Sequence, residues 1–134
     1  MPSERTPLLL IEDNPADLRL LTELLEDAAP GRFRIEPASR LAEGLAALRA
    51  GTFAVVILDL SLPDADGPDA ISAVRLEAPS TPVIVLSGML NDEVCCTASA
   101  HGAAASFVKG EVSIGPLVVA IDELLVDTAA AGQA

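Results

Sequence analysis

Short apolar runs that stop on polar residues alternate with longer stretches of helical period, and no other feature constrains the fold of this chain as tightly. The runs are Leu8 to Ile11, Phe33 to Pro37, Phe53 to Leu58, Pro82 to Leu86 and Ser106 to Val108. Each is too short for a helix. Between them lie amphipathic stretches: Leu18, Leu21, Leu24 and Leu25 after Asn14-Pro15; Leu41, Leu45 and Leu48 after a Ser39 cap; Ala70, Ile71, Val74 and Leu76; a small-residue helix opened by Asn91-Asp92-Glu93; and Leu117, Val118, Ile121, Leu124 and Leu125. A β-α unit repeated five times predicts a parallel sheet covered by helices on both faces. Phe53 to Leu58, apolar throughout, belongs at its centre, and Phe33 to Pro37, which alternates with Arg34 and Glu36 and closes on proline, belongs at its edge. One domain over residues 1–127 is expected, with 128–134 as a disordered tail.

Parallel strands end on the same edge of a sheet, and ligands of open α/β sheets bind there. Four of the five runs stop on groups able to do chemistry: Glu12 and Asp13 after the first, Asp59 after the third, Ser87 after the fourth and Lys109 after the fifth. Three adjacent carboxylates repel one another unless a cation sits among them. With all-oxygen donors and neither Cys nor His nearby, that cation would be a hard one such as Mg²⁺. A carboxylate can also accept a phosphoryl group, with an ammonium and a hydroxyl to receive its oxygens. Lys109 is the only lysine among eight Lys and Arg residues, which favours a role needing a compact point charge.

Bland readings account for the other polar groups. Asp64, Asp66 and Asp69 suit a turn and the start of the third helix, and Asp13 could cap the first. His101 fits an interaction with the end of its own helix, and the adjacent Cys95 and Cys96 fit two small buried or half-buried thiols, since neighbours cannot build a disulfide framework or a spaced metal cluster. A formal charge of −12 opposes binding to nucleic acid or an anionic membrane surface, so protein partners are expected. No apolar run reaches the length of a membrane span and Met1 to Arg5 lacks a signal-peptide pattern, which makes the expected location cytoplasmic.

Four blocks, Leu9 to Asn14, Val56 to Pro63 with Gly67, Pro82 to Gly88, and Phe107 to Lys109, resemble the signature segments of response-regulator receiver domains, over roughly residues 7 to 126. The resemblance implies a flavodoxin-like sheet of order 2-1-3-4-5. It also implies Asp59 as phosphoacceptor, and Mg²⁺ or Mn²⁺ held by Glu12, Asp13, Asp59 and the backbone carbonyl of Ser61. Ser87 would be the switch hydroxyl and Lys109 the phosphoryl-binding lysine. Partners so implied are a sensor histidine kinase or phosphotransfer protein, a downstream protein target, and a second copy of the chain bound through the fourth helix, fifth strand and last helix. Such a domain phosphorylates and dephosphorylates itself but is not otherwise an enzyme.

Two positions depart from the family pattern. Ser106 stands where relatives carry an aromatic switch residue, Phe107 coming one place later on the opposite face, and Gly110 stands where many have proline. A rival reading is therefore a receiver-fold docking module whose output depends little on phosphorylation. Enzyme readings fare worse. A haloacid-dehalogenase-type phosphatase needs a second acid where Ser61 stands, and a nucleotide site needs a glycine-rich turn where the chain has Glu12-Asp13-Asn14-Pro15.

Overall fold

The computed structural model describes residues 5–60, 67–88, 92–108 and 114–133. Strands β1 (Thr6–Ile11), β2 (Phe33–Ala38), β3 (Val55–Asp59), β4 (Val83–Ser87) and β5 (Ala105–Val108) alternate with helices α1 (Pro15–Ala28), α2 (Leu41–Ala50), α3 (Gly67–Glu77), α4 (Asp92–Ala100) and α5 (Ile114–Gln133). All four strand pairings are parallel, in the order β2-β1-β3-β4-β5. The flavodoxin-like architecture expected from the sequence is the one observed, with the apolar Val55 to Leu58 in the middle strand and the alternating strand that closes near Pro37 at the edge.

Alternation along the strands divides the core into two layers. Leu9, Ile11, Val56, Leu58, Val83 and Val85 pack with Leu41 of α2, Ala70, Ile71 and Val74 of α3 and Ala98 of α4. Leu8, Leu10, Val55, Ile57, Ile84 and Leu86 pack on the other side with Leu21 and Leu25 of α1 and Leu117 and Ile121 of α5. Every residue of β3 is buried, and each fully buried Val, Leu or Ile contributes about 1.5–3 kcal/mol of transfer free energy. The central strand is thereby a rigid support for whatever stands at its end.

At Gly44, α2 comes against β1. A Cβ there would lie 2.4 Å from Cδ1 and 2.9 Å from Cγ1 of the fully buried Ile11. Gly44→Val should destabilise the fold by about 1–3 kcal/mol in urea titrations, through overpacking. Gly44→Ala should cost less, and part of that cost should be recovered by Ile11→Val, which removes the colliding Cδ1. Purely additive effects in the double variant would show that the two side chains do not meet.

Several local expectations need correction. Ser39 does not cap α2: Arg40 occupies the cap position without a side-chain bond, and Ser39 instead donates its N–H (2.8 Å) and Oγ–H (2.6 Å) to Glu43 Oε1. Those two donors hold the Glu43 carboxyl below the ordinary carboxylate range. Leu76 is 83% exposed, because it lies two residues beyond Val74 and hence about 200° around the helix from it. Cys96 is exposed and its thiol free, which removes the buried-thiol reading for that residue. Helix α5 runs from Ile114 to Gln133. Its apolar face is as the spacing predicts.

Candidate functional site

The strand order reverses between β1 and β3, where the chain leaves β1 toward β2 on one side and enters β3 on the other, and this is the crevice where open α/β sheets place ligands. Register sets the residues found there. Ile11 lies beside Leu58, so the next position of each strand, Glu12 and Asp59, falls side by side at the carboxyl edge. Glu12 is 2% exposed and Asp59 fully buried, while Asp13, one residue further out, is exposed. One carboxylate oxygen from each of Glu12, Asp13 and Asp59 lies within 4.8 Å of the others.

Local bonds hold this edge in place. Glu12 N–H donates to Ala38 O of β2 (2.9 Å) and Leu60 N–H to Leu86 O of β4 (3.0 Å), which continues the ladders past the last residues of β1 and β3. Glu12 Oε2 accepts the backbone N–H of Asn14 (3.0 Å). The cap of α1 comes from Asn14, whose Oδ1 accepts from Ala16 N–H (2.9 Å) and Asp17 N–H (3.2 Å), so Asp13 is not that helix's cap.

Three carboxylates, two of them buried, carry strong mutual repulsion in a region of reduced dielectric. Oxygen-only donors so closely spaced fit a hard divalent cation, which would offset that repulsion, and the exposure of Asp13 leaves one side open to water or a ligand.

Ser87, partly exposed, ends β4; its neighbour Leu86 is in register with Asp59, so Ser87 stands one step beyond the acid on the adjoining strand. It pairs with Val108, the last residue of β5. Ser61, Lys109 and Gly110 lie outside the described residues. Ser106 is in register with Val85, whose side chain belongs to the α2, α3 and α4 layer, and Phe107 packs into the opposite layer with α1 and α5. The reversed placement of the ring expected from alternation is thus observed.

His101 Nδ1 lies 2.8 Å from Ser72 Oγ of α3, so its ring ties two helices together rather than serving the end of its own. Not legible in the sequence was the Asn14 amide on Glu12: the Asn-Pro pair signals a helix start but says nothing of where its N–H points.

Among the described residues no helix is long and apolar enough to cross a membrane. A family model described as the response regulator receiver domain matches residues 8–122. Acid tolerance regulatory protein ActR of Rhizobium meliloti is 36% identical over 96 residues, which cover 72% of this chain and 48% of that protein. A protein-glutamate methylesterase/protein-glutamine glutaminase of Natronomonas pharaonis is 34% identical over 111 residues, covering 80% and 30%. The chain spans about half or less of the length of these curated relatives. Among solved structures, a CheY-like response regulator receiver domain protein from Methanospirillum hungatei superposes with a TM-score of 0.82 at 24% identity, covering 94% of this chain and 98% of that one. A receiver domain protein from Clostridium thermocellum gives 0.81 at 25% identity, covering 92% and 97%. With matching blocks, matching topology and a family model spanning most of its length, this chain belongs to the response regulator receiver domain family of two-component systems.

Proposed function

We propose that the chain is a phosphoacceptor, taking a phosphoryl group onto Asp59 from a sensor histidine kinase or phosphotransfer protein in the cytoplasm. The observation that carries this reading is the convergence of Glu12, Asp13 and Asp59 at the β1/β3 reversal, with Asp59 fully buried on the central strand. An Asp59 carboxylate oxygen attacks phosphorus, the bond from phosphorus to the donor's nitrogen or oxygen breaks, and its electron pair leaves with the donor. The product is an acyl phosphate. Glu12, Asp13, Asp59 and the Ser61 carbonyl would hold Mg²⁺ or Mn²⁺, which when bound supplies charge neutralisation for the incoming phosphoryl oxygens. Ser87 donates its hydroxyl to one phosphoryl oxygen, and the Lys109 ammonium pairs with another. Output leaves through α4, β5 and α5, the surface on which a downstream protein or a second copy of the chain docks.

Incubation with acetyl phosphate and Mg²⁺ should add one phosphoryl group by intact mass spectrometry, and chelation of the metal should abolish the addition. Labelling that is equally fast under chelation would overturn the metal-dependent reading. Asp13→Ala should weaken Mg²⁺ binding by roughly 10- to 100-fold and Glu12→Gln by less, because Asp13 is exposed to the incoming hydrated ion whereas Glu12 is buried. Equal affinities for parent and both variants in calorimetric titrations would take the metal away from these acids. The phosphorylation-independent docking module keeps one supporting observation, the serine at position 106 with Phe107 turned to the other layer.

A further inference from the structure

We infer that Asn14 is a positioning residue for the site: by capping α1 it fixes the amide that orients the Glu12 carboxylate for metal binding. This inference rests on the metal-dependent reading above. Three bonds lock Asn14 from its helix side. Its Oδ1 accepts from Ala16 N–H and Asp17 N–H, and its carbonyl accepts Leu18 N–H at 2.9 Å. With φ −89° and ψ 113° the residue is extended, so the peptide joining it to Asp13 lies outside the helix and turns its N–H away from the helical ladder. That N–H meets Glu12 Oε2 at 3.0 Å. Fixing one oxygen of a carboxylate fixes its plane, and with it the position of the other oxygen.

Glutamate needs such help more than aspartate does. It has one more rotatable bond and loses more rotamer freedom when a ligand immobilises it. Here the backbone end of Glu12 is held by Ala38 O of β2 and the carboxylate end by Asn14, so little freedom is left to lose when a cation arrives. The amide dipole and the positive end of α1 also offset part of the repulsion among the three acids while no cation is bound. Asn14 therefore couples the first turn of α1 to the metal ligands without itself contacting the ion.

The test is a Mg²⁺ titration of the full chain by calorimetry, for the parent, Asn14→Ala and Asn14→Ser, at a temperature where circular dichroism shows all three folded. Alanine removes the cap acceptor and keeps the amide; serine keeps both. Asn14→Ala should raise the Kd about fivefold, the factor corresponding to one lost cap, and Asn14→Ser should stay near the parent. In a Glu12→Gln background, Asn14→Ala should cost no further affinity, because the carboxylate it orients is gone. A cap with only a structural role would lower thermal stability and speed amide exchange at Ala16 and Asp17 while leaving the Kd unchanged, and that result overturns the proposal. So would equal losses for alanine and serine. Should the parent bind no Mg²⁺, the metal reading itself falls. The exchange rate of the Asn14 amide in metal-free protein then decides the geometry separately: slow in the parent and Asn14→Ser and faster in Asn14→Ala if the coupling exists, the same in all three if it does not.

Discussion

Asp59→Asn will gain no phosphoryl group from acetyl phosphate and Mg²⁺ under conditions where the parent gains one. The substitution is nearly isosteric, so the fully buried site on β3 keeps its packing, but an amide offers no anionic oxygen to attack phosphorus. It also removes one of three negative charges lying within 4.8 Å of one another, which leaves less repulsion for a cation to offset. A second effect should therefore accompany the loss. At a Mg²⁺ concentration of about ten times the Kd, linkage stabilises a binding-competent fold by about 1.4 kcal/mol, and this increment should shrink in the variant. Thermal melts with and without Mg²⁺ measure it. Labelling of Asp59→Asn to the parent's extent would move the acceptor elsewhere, and an unchanged Mg²⁺ increment would separate the metal from Asp59.

The sheet was legible in the sequence because Val55 to Leu58 and Val83 to Leu86 are apolar without interruption and β2 alternates and contains Pro37, patterns that follow from central and edge burial. The convergence of Glu12, Asp13 and Asp59 was legible for the same reason: parallel strands share an edge. What pattern could not supply were the consequences of close contact. That Gly44 sits on Ile11 depends on how α2 crosses β1, and that Asn14 turns its amide onto Glu12 depends on the loop path, neither of which leaves a periodic trace. Apolar character alone misplaced Leu76 in the core, where its spacing of two residues from Val74 turns it outward. Ser39 carried a cap signature, but Glu43 takes both of its donors.

Beryllofluoride, a phosphoryl mimic, should shift the amides from Ser87 to Val94 strongly and those from Ser106 to Val108 hardly at all. On the proposed function, a phosphoryl group would add a charge of roughly −1.5 to −2 at Asp59, and Ser87, one step along the adjoining strand, would be the hydroxyl that turns toward it. Movement of Ser87 draws on the chain leading into α4. The far end of that helix is held: His101 bonds to Ser72 of α3, Ala103 N–H returns to Ala98 O, and Ala104 N–H joins Val83 O of β4. Gly102, at φ +109°, lies against the side chain of Arg75, which itself donates to Thr81 O. A helix pinned at its C-terminal end and pulled at the other should respond most in its first turn, with shifts that decay toward Ala100. In β5 the residue on the α4 side is Ser106, too small to follow Ser87 into the space it leaves, whereas the ring of Phe107 belongs to the layer of α1 and α5. Shifts as large in β5 as in α4 would show that Phe107 carries the change through the opposite layer, and the output surface would then centre on α5 rather than on α4.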